Sequence, residues 1–151
     1  MVVNIAMVII HTVAGAIWVG SITCMTVVIL PTAATGDIDA TPLERIVGRL
    51  MALSRSGVVL TTLTGGYLAG TTYTTESLLN TANGNLILAA LLMWVIFAIF
   101  VEIGRRKLVS GLQAKRVRAP VAASRRSFQL ATGVSILLLV DIGLLTANMI
   151  I

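Results

Sequence analysis

The sequence predicts an all-α integral membrane protein, a four-helix bundle with short loops and one interfacial amphipathic helix. Three observations carry this. The 151 residues are 57% apolar and 11% charged, where soluble domains carry about a quarter charged residues. Mean hydropathy is +0.99. The uncharged stretches fall into four blocks, each close to the ~20 residues that cross a bilayer as a helix. The expected spans are about 2–30, 56–73, 86–101 and 128–151, a single transmembrane domain over 1–151. That leaves no soluble portion for a separate catalytic domain. Cys24 is the one cysteine, so no intrachain disulfide exists.

The first helix is expected from Val2 to Leu30, ending at Pro31. Its apolar run exceeds the ~7–15 residues of a signal peptide core and has no Lys or Arg before it, so it reads as a retained span. Thr41-Pro42-Leu43-Glu44 reads as a helix start: Thr41 caps, Pro42 fits the first position and Glu44 completes a capping box. Leu43, Ile46, Val47 and Leu50 follow at helical spacing, with Arg45 and Arg49 off that stripe. This is the interfacial amphipathic helix leading into the second span. The second span is rich in threonine and glycine, and its Gly66-Tyr67-Leu68-Ala69-Gly70 is a GxxxG that allows close backbone approach. Residues 76–85 form a short polar link. The third span closes at Glu102 and Arg105-Arg106-Lys107. A basic loop then leads to a fourth span containing one charge, Asp141.

All 11 Lys and Arg residues lie between spans one and two or between spans three and four. The positive-inside rule therefore places both termini outside and the basic loops in the cytoplasm, in a multi-pass protein of the cell membrane. The net charge of +5 and pI near 10.4 follow from this distribution. They read as a signal for topology and lipid headgroups, not for nucleic acid. The expected partners are the lipid bilayer and either a second copy or a larger membrane complex.

Polar groups inside the spans are the candidate site. His11, the sole histidine, lies ten residues in from the outer end of the first helix, and Asp141 ten residues from the outer end of the fourth. At ~1.5 Å per residue both sit ~15 Å deep. Asn4 and Asn148 match in the same way. The expectation is that the first and fourth helices pack face to face, with Asn4, Met7, His11, Gly15 and Trp18 on one stripe and Asp141 and Asn148 opposite. In the bland reading, a His11–Asp141 bond only fixes helix register. In the functional one, Asp141 orients the imidazole while its other nitrogen binds a metal, a haem iron or a proton. Thr61 or Thr62 and Met93 or Trp94 share that depth. Threonine hydroxyls there are expected to bond their own helix, and the two tryptophans to pack. Met7 and His11, at i and i+4, share one face, and thioether plus imidazole suits soft Cu(I). Cys24 and Met25 offer a second copper stop, with buried filler as the alternative.

His11-Thr-Val-Ala-Gly-Ala-Ile-Trp18-Val-Gly20 resembles the first-helix signature of the copper-resistance D (CopD) membrane family. Arg49–Arg55 running into Leu63-Thr64-Gly65-Gly66-Tyr67-Leu68-Ala69 resembles that family's second helix, and Asn83-Gly84-Asn85-Leu86 the start of its third. The resemblance implies a copper-handling membrane protein, with His11 and Trp18 carried over and Thr64 and Gly65 as packing positions. A related pattern belongs to HemJ-type protoporphyrinogen oxidases, where a first-helix histidine and a third-helix lysine are thought to hold haem b. Here that position is Ala90 and the third span has no lysine. Haem would fall to His11 with Met93 or Met7.

Three functions follow. The first is copper handling or transport with metal donors His11, Met7 and Asp141. The second is a small accessory or structural subunit of a membrane complex. The third is a haem-binding redox protein, with haem b on His11 and Met93. The sequence shows no nucleophile–base–acid set, phosphate loop or multi-ligand zinc site, so an enzyme is not the expectation.

Overall fold

A computed structural model of the chain describes residues 2–148, the side chain of Asn148 excepted. The order is α1 (Val2–Cys24), a π-helical turn (Met25–Ile29), α2 (Leu30–Thr35), α3 (Ala40–Thr72), α4 (Thr75–Asn80), α5 (Ala82–Gln113) and α6 (Arg118–Asn148). No strand occurs among the described residues. Four helices are long and apolar enough to cross a membrane: Val2–Thr35, Ala40–Thr72, Ala82–Gln113 and Arg118–Ala147. The chain is thus a multi-pass membrane protein with an all-α four-helix architecture.

Each helix runs further than its apolar core. The first does not stop at Pro31 but continues through the π turn to Thr35, where Gly36 closes it in the left-handed conformation (φ 94°). Proline has no N–H and its ring clashes with the carbonyl four residues back. The wider turn just before it, in which the Leu30 N–H reaches the Met25 carbonyl five residues back, accommodates it at the start of α2. The amphipathic segment and the second span are likewise one helix, α3, with no break between them. Its cap position is Asp39, not Thr41, and makes no side-chain capping bond. The expected apolar stripe holds: Leu43 and Val47 are fully buried. The link before the third span contains α4, begun by a capping box between Thr74 and Ser77. The expected basic loop is mostly helix, because α5 and α6 both extend through it. There Glu102 takes two hydrogen bonds of 2.6 Å from Arg105 and one of 2.8 Å from Arg106.

The helices pair as two antiparallel hairpins, α1 on α3 and α5 on α6. This corrects the expected pairing of the first and fourth helices. Glycines set both seams, but not those of the GxxxG. A Cβ at Gly66 or Gly70 would meet nothing within 4 Å. One at Gly57 would lie 2.6 Å from the Trp18 Cβ, and one at Gly104 2.9 Å from the Phe128 ring. The hairpins meet through Trp18, whose ring is 4.4 Å from Phe97 and 6.0 Å from Trp94 between centroids. Nearer the basic end, Thr26 of the π turn bonds Thr132 of α6 at 2.8 Å. The apolar core is concentrated in that half, from Trp18, Phe97 and Phe128 to Leu43, Leu108 and Leu112. Toward the end that carries the termini, buried positions thin out. Among the described residues none precedes Ala14 on α1 or follows Thr64 on α3.

Candidate functional site

His11 faces α3, half-buried, in a regular seam. Along it Asn4 meets Tyr67, His11 meets Thr64 and Gly65, Gly15 approaches Thr61, and Trp18 meets Gly57 and Ser54. The imidazole Nδ1 is 2.9 Å from the Thr64 hydroxyl. That hydroxyl donates to the Leu60 carbonyl of its own helix at 2.6 Å. Gly65 makes room for the ring, since a Cβ there would lie 2.8 Å from Cε1, 3.3 Å from Nδ1 and 3.8 Å from Nε2. Among the described residues no hydrogen bond reaches Nε2.

Two turns out along α1, Asn4 Oδ1 accepts from the Tyr67 hydroxyl at 3.3 Å. Two turns in, the Trp18 indole N–H donates to the buried Ser54 hydroxyl at 2.8 Å. The Trp94 indole donates to the Thr61 hydroxyl at 3.2 Å, which itself donates to the Gly57 carbonyl. The tryptophans are therefore packed, hydrogen-bonded anchors, and the threonine hydroxyls serve their own helix as expected.

The stripe Asn4–His11–Gly15–Trp18 is the one the sequence indicates, but it faces α3. Depth along a helix fixes a level and not a direction around the axis, so Asp141 at a similar level is not His11's partner. Asp141 is 7% exposed and continues the α6 face formed by Phe128, Ala131, Ser135 and Leu138. Among the described residues its carboxylate makes no hydrogen bond or ion pair, and Oδ2 is enclosed without a partner. On α5, Gly104 opposite Phe128 and Gly111 opposite Pro120 fix an antiparallel register. It brings Ala90 and Leu91, with no donor side chain, level with Asp141. The expected Asn4–Asn148 match falls on a side chain outside the described residues.

Met7 is half-buried one turn from His11. Met93 is half-buried beside Trp94, which packs on Trp18. Cys24 is exposed on the surface of α1, while Met25 is fully buried in the core. Among the described residues no three His, Cys, Asp or Glu side chains are grouped so that they could hold a metal ion. Depth along the helix points to Thr61 and Thr62, whereas Thr64 and Gly65 are expected only as packing positions. Their place beneath the histidine follows from the α1–α3 register.

These helices define a multi-pass α-helical membrane protein with one imidazole set between its first two spans. The family model for copper resistance protein D matches residues 44–145, and the chain belongs to that family. The match takes in Thr64, Gly65 and Asp141; His11 and Trp18 precede it. No curated protein and no solved structure matches the chain.

Proposed function

We propose that this chain handles copper within the membrane and that His11 is its first metal donor. The reading rests on one observation: in a member of the copper resistance D family, the only imidazole is anchored through Nδ1 while Nε2 is left without a partner. A metal-ligating histidine is ordinarily held by its other nitrogen in this way. The donor chemistry fits copper in its soft, monovalent state. Cu(I) accepts few ligands, and imidazole with a thioether suits it, whereas hard divalent ions prefer clustered carboxylates. Met7, one turn away on the same helix, would supply the thioether. Asp141 belongs to the other hairpin and is not needed for this pair. The concentration of Lys and Arg at one end supports an orientation with that end cytoplasmic and the His11 end toward the outside.

The test is metal analysis of purified protein after Cu(I) loading. Wild type is expected to retain copper and His11→Ala to lose it. Equal stoichiometry in the two overturns the proposal.

A further inference from the structure

We infer that Thr64 is a positioning residue that fixes the tautomer of His11, holding the proton on Nδ1 and the lone pair on Nε2. A threonine hydroxyl has one hydrogen to give. At Thr64 it goes to the Leu60 carbonyl, 2.6 Å away, an acceptor that cannot reciprocate. The neighbouring Thr61, Thr62 and Thr71 hydroxyls donate to their own helix in the same manner. With that hydrogen on Leu60, the bond of 2.9 Å between Nδ1 and the Thr64 oxygen runs the other way, with the ring N–H donating and the hydroxyl oxygen accepting. Thr64 therefore offers the ring an acceptor and no free hydrogen. In a neutral imidazole the second nitrogen carries the lone pair, and Nε2 is the farthest from Gly65 of the three ring atoms that approach it.

Thr64 thus selects the chemistry His11 offers: a lone pair on Nε2 for a soft metal cation. It also ties this donor to the second helix, so a shift of α3 along α1 would release the tautomer. The metal half of the inference rests on the proposed copper function. The tautomer half does not.

Because His11 is the only histidine, protein grown with 15N-labelled histidine reports a single ring. Solid-state NMR in lipid bilayers at neutral pH, without metal, is expected to show a protonated Nδ1 and a bare Nε2. Thr64→Val removes the acceptor and should yield a mixture or the reverse tautomer. Thr64→Ser keeps the oxygen and should retain the wild-type spectrum. A wild-type ring protonated on Nε2 overturns the inference, as does a Thr64→Val spectrum identical to wild type. Cu(I) competition titration supplies the second readout: about 10- to 100-fold weaker binding in Thr64→Val, restored by Thr64→Ser. Equal Cu(I) affinity in Thr64→Val and wild type overturns the metal half. Copper binding independent of His11 refutes the proposed function while the metal-free spectra still decide the tautomer.

Discussion

Gly65 is the residue on which the imidazole rests. A methyl group there would stand 2.8 Å from Cε1, closer than any carbon contact allows. The atom it meets is the far end of a side chain with two rotatable bonds, so the ring would swing aside and the backbone would stay. Gly65→Ala is therefore expected to displace His11 from Thr64, altering the histidine 15N spectrum and weakening Cu(I) binding. Helix content should be retained, and stability should change by less than about 1 kcal/mol. Circular dichroism melting beside the metal titration checks both halves. A large loss of stability with unchanged copper affinity would refute it.

At the scale of helices, the seam between α1 and α3 depends on Gly57. A Cβ there would meet the first side-chain carbon of Trp18 at 2.6 Å and the indole at 3.0 Å. Unlike the His11 ring, this neighbour lies close to the backbone and is locked by the Ser54 hydrogen bond and by Phe97. Gly57→Ala is expected to push the two helices apart and to destabilise the protein by about 1–3 kcal/mol, the range for overpacked interiors. Thermal unfolding in detergent measures it; Gly66→Ala, which meets open space, is the control expected to leave the midpoint unchanged. The contrast also shows what a sequence can and cannot disclose. The spans and the stripe through His11 and Trp18 follow from periodicity and charge. Which glycine touches a neighbour depends on the direction each helix face takes around its axis, and neither depth nor a GxxxG spacing encodes that. Pro31 does not end the first helix because the π turn before it accommodates the ring.

For the whole molecule, the enclosed carboxylate of Asp141 is the main departure from a membrane interior. A charged side chain at the centre of a spanning helix carries an insertion penalty of about 2.5–3.5 kcal/mol. Asp141 has no hydrogen-bonding partner among the described residues to offset it. Had it paired with His11, replacing it with leucine would strand the imidazole and destabilise the bundle. With His11 held by Thr64 the sign reverses: Asp141→Leu is expected to raise the unfolding midpoint in detergent and to leave the histidine 15N spectrum unchanged. A lowered midpoint would mean that Asp141 has a partner in the assembled protein.

The division into two hairpins also bears on biosynthesis. Thr64 and Gly65, the residues that hold the His11 ring, are translated before any of α5 or α6 exists. Domains and their parts generally fold in the order in which they emerge. Once Thr72 enters the bilayer, the first hairpin has its own seam, its glycine contacts and its oriented imidazole. The second hairpin then docks on a site already built, through Thr26 and Trp18, so the histidine's geometry is settled early in the life of the chain, before the bundle closes.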